Sequence, residues 1–229
     1  MSKSMNLIGK NAKRAILNKI TTKVKNKVLK KYISLIEKKE KIIIKANYKD
    51  IKFAKKKKIK NNLIDRLILN SKKINSIKIA INNIIKLKDP INQTLDKWKR
   101  PNGLLIKKVS IPIGVIGVIY ESRPNVTADI SSLCFKSGNS VILRGGSEAI
   151  NTNKILVKLF RKALSENKVD PNFVQFIDNK NRKLVNYMLS KMNNYIDVII
   201  PRGGKNLVKK VQTISKIPID FEIMFGIVI

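Results

Sequence analysis

Up to about residue 89 the apolar residues recur at helical spacing. Val24, Val28, Leu29, Tyr32, Leu35 and Ile36 fall on one face of a segment that Thr22 is placed to cap, with lysines opposite. A second stripe, Ile74, Ile77, Ile81, Ile84 and Ile85, follows a cap at Ser71. Stripes of this kind predict helices packed on a core rather than cofactor boxes. Asp89-Pro90 and Arg100-Pro101-Asn102-Gly103 then interrupt regular structure, and residues 104–109 predict a strand or hairpin arm.

From Gly114 the pattern changes. Short apolar runs at residues 115–120, 140–143, 173–177 and 197–200 predict buried strands, and amphipathic stretches at 125–136, 147–164, 181–192 and 205–214 predict helices between and after them. Pro124 stands near the start of the first of these helices. Strands joined by helical crossovers imply a parallel sheet with helices on both faces. The expected fold class is therefore α/β: a helical amino-terminal region over 1–100, a doubly wound, mostly parallel Rossmann-like domain over 101–219, and a tail over 220–229.

Composition narrows the chemistry. The 229 residues are 43% apolar, ample for a buried core. No apolar run approaches the ~20 residues needed to cross a bilayer. The opening MSKSMNLIGK lacks the apolar stretch of a secretory signal, so a cytoplasmic location without membrane partners is expected. There is no histidine and one cysteine, which excludes within this chain a Ser-His-Asp triad, a Cys-His dyad and any histidine-ligated metal, and leaves no metal site expected. Cys134 lies among apolar neighbours on a predicted helix, where a buried, inert thiol is expected. The net charge is +34. Nucleic-acid binding is one reading of that charge. AT-rich codon usage is the other and is favoured, because the lysines are spread along the chain among Ile and Asn; no specific nucleic-acid partner is expected.

Ligands of doubly wound sheets bind beyond the carboxyl ends of the strands. Three turns fall there: Glu121-Ser122-Arg123-Pro124-Asn125, Arg144-Gly145-Gly146-Ser147-Glu148 and Pro201-Arg202-Gly203-Gly204. Glycines let the backbone approach a phosphate, a following helix presents unpaired N–H groups, and arginines add planar donors. Either Gly-Gly pair alone reads more readily as a tight turn, and the same polar chemistry recurring after several strands shifts the balance towards a nucleotide site. The fingerprint G-x-G-x-x-G is missing, so a dinucleotide must be held by a variant geometry.

Three blocks carry a family resemblance: residues 100–127, through Ile113-Gly114-Val115-Ile116-Gly117 and Tyr120-Glu121-Ser122-Arg123-Pro124-Asn125; residues 132–148, through Leu143-Arg144-Gly145-Gly146-Ser147-Glu148; and residues 195–204, ending Pro201-Arg202-Gly203-Gly204. In these the chain resembles the gamma-glutamyl phosphate reductases (glutamate-5-semialdehyde dehydrogenases) of the aldehyde dehydrogenase superfamily, from near residue 8 to about 219. The resemblance implies NADPH-dependent reduction of L-glutamyl 5-phosphate to L-glutamate 5-semialdehyde in proline biosynthesis, through a cysteine thioester. It implies that Arg144 and Glu148, with Gly145 and Gly146, meet the adenosine ribose and its 2′-phosphate. Arg202, Gly203 and Gly204 would approach the pyrophosphate. Asn125, or alternatively Arg123, would be the oxyanion-hole side chain. After Ile217-Pro218-Ile219 the family continues into a segment with a Cys-His pair, whereas this chain reads Asp220-Phe221-Glu222 to Ile229. The expectation is a chain that lacks the catalytic domain and nucleophile, through a frameshift or split gene. It would then be inactive alone, a dinucleotide-binding remnant or one half of a split enzyme whose partner chain carries the catalytic domain, with a homo-oligomer also possible.

Overall fold

The computed structural model describes residues 2–121 and 123–221, so most of the expected tail lies outside the described residues. Five helices lead: α1 (Ser2–Ile16), α2 (Thr22–Lys38), α3 (Glu40–Lys56), α4 (Asn61–Leu67) and α5 (Ser71–Lys86). A two-stranded antiparallel hairpin, β1 (Thr94–Lys99) and β2 (Leu105–Val109), turns at the Pro101-Asn102-Gly103 break. The α/β part follows as β3 (Val115–Tyr120), α6 (Pro124–Lys136), β4 (Ser140–Arg144), α7 (Ile150–Glu166), β5 (Val174–Phe176), α8 (Lys183–Lys191), β6 (Val198–Arg202) and α9 (Lys205–Ile214).

The four later strands form a parallel sheet in the order β5-β4-β3-β6. The chain steps outward from β3 to β4 and β5, then crosses back to put β6 on the other side of β3, so the topological switch lies between β3 and β6. Ile219 makes a parallel bridge to Ile199 beyond β6. The sheet is buried on both faces, which is why its strands read as unbroken apolar runs. Alternate residues divide between two cores. Ile116, Val118 and Tyr120 face the side covered by α2, α5, α6 and α7, while Val115 and Ile119 face α1, α8 and α9. On the first side Tyr32, Phe135, Phe160 and Phe173 stack edge to face, with ring centroids 4.7 to 5.8 Å apart.

Both expected caps move back by one residue. Thr21 has extended backbone and accepts from the Val24 amide, and Asn70 accepts from that of Lys73. Thr22, already helical, donates instead to Asp89 at 2.8 Å, and Lys25 pairs with the same carboxylate at 2.9 Å. Burial opposes the charge on Asp89, yet the hydrogen bonds from Lys25, Thr22 and the Ile91 amide hold its carboxyl below the ordinary value. The expected helix over 147–164 begins with a 3₁₀ turn, Ser147–Ala149, and becomes α-helical at Ile150. Its head is held from α3: the buried Asp50 carboxylate accepts from the Asn151 and Thr152 amides at 3.2 and 2.8 Å and from both side chains at 2.7 Å.

Candidate functional site

At the switch point, the Glu121 amide continues the sheet ladder by donating to the Arg202 carbonyl at 3.1 Å. Beyond it opens a crevice of about 420 Å³, lined among others by Tyr120, Glu121, Arg123, Arg202, Gly203 and Gly204. Gly203 and Gly204 lead into α9, whose first amides have no intrahelical partner. One of them is already occupied by an anion: the Gly204 N–H donates to Glu121 Oε2 at 3.1 Å. A Cβ on Gly203 would stand 2.7 Å from both Glu121 Cδ and Leu207 Cδ2, the ends of two flexible side chains that would have to shift. Burial lowers the pKa of Arg202, as does the neighbouring Arg123 charge, while Asp129 opposes the shift. A cationic wall beside a helix amino terminus suits a phosphate.

The turn after β4 is built differently and does not line this crevice. Arg144 is buried and donates through Nη1 to the Gly145 carbonyl, and its Nε has no partner among the described residues. Burial lowers its pKa against the opposing charge of Glu148. A Cβ on Gly145 would meet Asn153 Nδ2 at 2.3 Å, and one on Gly146 would meet Glu148 Oε1 at 2.1 Å. Gly145 thus packs on a buried chain in which Tyr120 and Thr127 share a 2.6 Å hydrogen bond and Thr127 donates to Asn153 Oδ1 at 2.9 Å. The helix that follows ends on Asp50 rather than on open space.

Asn125 lies in the first turn of α6, exposed, with Nδ2 donating to Asp129 Oδ2 at 3.3 Å. It lines a neighbouring cavity of about 400 Å³, which shares Arg66 and Arg123 with the crevice. Burial pushes Asp129 up to about 6, against the Asn125 hydrogen bond and the Arg202 charge. The Cys134 thiol is buried and pushed up to about 12, as expected for an inert structural thiol. Among the described residues no cluster of His, Cys, Asp or Glu is arranged to hold a metal, and no helix is long and apolar enough to cross a membrane. Two residues escaped the sequence reading: Glu121 as an acceptor at the head of α9, and Asp129. Only Glu121, lying inside a quoted turn, left a local signal.

No family model matches the chain. A gamma-glutamyl phosphate reductase from Persephonella marina is 43% identical over 203 residues, 89% of this chain and 45% of that protein. The crystal structure of gamma-glutamyl phosphate reductase from Thermotoga maritima superposes with a TM-score of 0.89 at 41% identity, over 93% of this chain and 51% of that one. This chain is a homologue of the gamma-glutamyl phosphate reductases. It spans about half the length of the reductases it matches. An engineered glycolyl-CoA reductase with bound NADP+ shares the fold at a TM-score of 0.69 and 19% identity, over 94% of this chain and 45% of that one. The likeness to reductases therefore rests on sequence and fold together, while the wider aldehyde dehydrogenase-like group shares the architecture alone.

Proposed function

We propose that this chain supplies the NADPH-binding portion of a gamma-glutamyl phosphate reductase, an oxidoreductase that converts L-glutamyl 5-phosphate to L-glutamate 5-semialdehyde in proline biosynthesis in the cytoplasm. The observation that carries this reading is the head of α9: at the switch point of a reductase-like sheet, the Gly204 amide already binds a carboxylate. In this reading residues 101–219 form the cofactor domain and the helices of 1–100 pack on it.

When bound, the dinucleotide supplies the hydride. Gly203 and Gly204 admit its pyrophosphate and Arg202 balances the charge. In this reading the turn after β4, Arg144, Gly145, Gly146 and Glu148, which lies outside the crevice, would have to reach the ribose side, with the Arg144 guanidinium as counter-charge to the 2′-phosphate. Asn125 steadies the oxygen that gains charge during acyl transfer. Cys134 is no nucleophile, because a buried thiol with its pKa pushed up to about 12 carries almost no thiolate at neutral pH. A thiolate for thioester formation comes from residues outside these 229. The exposed apolar side chains of the hairpin, among them Leu95, Leu105 and Val109, offer a surface for a second copy or for a chain bearing the catalytic domain.

Fluorescence titration of the chain with NADPH tests the cofactor reading. Saturable binding is expected, weakened about tenfold or more in Gly203→Val, whose side chain fills the approach to α9. Binding that does not saturate, or that Gly203→Val leaves unchanged, would overturn it.

A further inference from the structure

The turn that closes the β1–β2 hairpin holds the one Asn-Gly pair of the chain, Asn102-Gly103. Asparagine is thermolabile, and a following glycine leaves its side-chain amide most open to attack by the next backbone nitrogen, because no Cβ stands beside that nitrogen. Both residues are exposed, and so is every residue of β1. Gly103 sits at φ +86°, and a Cβ built there would meet nothing within 4 Å. The tip is therefore held by the turn's own hydrogen bonds rather than by packing.

Those hydrogen bonds activate the carbonyl and hold the nitrogen lightly. Asn102 Oδ1 accepts from the Leu104 amide at 3.2 Å, which draws electrons away from Cγ. The Gly103 N–H donates to the Arg100 carbonyl at 2.9 Å, and the Arg100 N–H to the Leu104 carbonyl at 2.9 Å. The Gly103 bond has to open before its nitrogen can attack, and in an exposed turn water replaces it at small cost. The surroundings are cationic. Lys97, Lys99, Arg100, Lys107 and Lys108 are exposed on the strands and turn, against the single carboxylate of Asp96, in a chain of net charge +34. A positive field stabilises the anionic nitrogen that attacks and the oxyanion that follows. The Asn-Ser pairs are more restrained. Asn75 lies inside α5, and Asn139 is 4% exposed with Oδ1 accepting from the Gly114 amide at 2.9 Å.

We infer that Asn102 is a site of spontaneous deamidation, driven by Gly103 and favoured by the basic hairpin around it. A solvent base takes the Gly103 amide proton and the nitrogen forms a bond to Asn102 Cγ. The Cγ–Nδ2 bond then breaks, with Nδ2 leaving as ammonia after taking up a proton. Water opens the resulting succinimide at either carbonyl, leaving aspartate or isoaspartate at position 102. Nothing is oxidised or reduced, and water is the only co-reactant. Each event replaces a neutral amide by a carboxylate two residues from Arg100. In the isoaspartyl form the main chain gains a methylene, so the turn cannot keep its present hydrogen bonds. The inference stands on the hairpin alone and is independent of cofactor binding.

The test follows the 229-residue chain by peptide mass spectrometry during incubation at neutral and alkaline pH, with a separation that resolves isoaspartyl from aspartyl peptides. Asn102 should be lost while Asn75 and Asn139 are still largely intact, with isoaspartate among the products. The rate should rise about tenfold per pH unit, as the fraction of deprotonated amide does. Added salt should slow it about two- to threefold, because screening removes the field of the lysines. Gly103→Ala should leave most of Asn102 intact over the same period. Loss of Asn102 no faster than that of Asn75 or Asn139, aspartate formed without isoaspartate, or a rate unchanged in Gly103→Ala would each overturn the site. A rate indifferent to salt would overturn the role given to the basic hairpin. The time course on the unsubstituted chain needs no variant, so a Gly103→Ala protein that failed to fold would leave the test intact.

Discussion

The two Gly-Gly turns look alike in sequence and differ in structure. Arg144-Gly145-Gly146 and Arg202-Gly203-Gly204 both follow a buried parallel strand and both precede a helix. The head of α7 is closed by Asp50, a carboxylate 1% exposed that accepts four hydrogen bonds from Asn151 and Thr152. The head of α9 is touched by Glu121, an exposed side chain making one 3.1 Å bond to the Gly204 amide. Helix termini attract anions in both places. The first has its anion built in, as part of the fold, and the second holds its own by one exposed hydrogen bond, which the proposed function requires a phosphate to replace.

The strongest way to break that comparison is to remove the built-in anion. Asp50→Ala orphans the buried amide and hydroxyl of Thr152 and the part-buried amide and carboxamide of Asn151, and deletes a four-bond tie between α3 and α7. A loss of about 3 to 5 kcal/mol is expected, at about 1 to 3 kcal/mol for each buried donor left without a partner. For a domain of this size that is about 10 °C or more in Tm, readable by thermal denaturation. A drop of only a degree or two would mean that the head of α7 is as open as that of α9, and the contrast would fall.

A third carboxylate gives an effect of opposite sign. Asp129 has a folded-state pKa of about 6 against an ordinary 3.8, so between those values the native state binds more protons than the unfolded state. Stability therefore falls as pH rises from about 4 to about 6 and stays lower above that. Asp129→Asn removes the penalty. It should raise stability at pH 7 by up to about 3 kcal/mol, at about 1.4 kcal/mol per pKa unit, and give no gain below pH 4. Denaturant midpoints of both proteins at pH 4 and pH 7 read the difference. A carboxylate retained at a cost to stability is the pattern of a binding group, whereas Asp50 is that of a structural one.

The contrast between the two helix heads was not legible in the chain. What could be read were features set by neighbours in sequence: the apolar runs of β3, β4 and β6, the stripes of α2 and α5, and the turns that punctuate them. The caps slipped by one residue because Thr21-Thr22 and Asn70-Ser71 each offer two adjacent capping side chains, and only backbone geometry selects the extended one. β1 was missed because Thr94–Lys99 is exposed throughout and so carries no core-facing alternation. Asp50 lies 101 residues before Asn151, in the middle of an amphipathic helix, where an acidic residue reads as solvated surface. The cavity beside the crevice is hidden for the same reason, since α4, α5 and α6 bring Arg66, Lys73 and Asp129 together only in the fold.

The smallest expected effect tests whether the anion on α9 is replaceable. Glu121→Gln keeps an oxygen able to accept from the Gly204 amide and removes the negative charge that competes with a phosphate there. Under the proposed function NADPH affinity should rise by about two- to fivefold at low ionic strength, the scale of one charge at a helix terminus. The gain should shrink as salt is raised, because Glu121 is exposed and its field is screened within about 10 Å at 0.1 M. The same titrations on Asp50→Asn supply the internal contrast, since a carboxylate locked under four hydrogen bonds does not compete for the cofactor. If both substitutions moved NADPH affinity equally, the two helix heads would be electrostatically equivalent, and Gly203-Gly204 would lose its claim to be the anion site of the molecule.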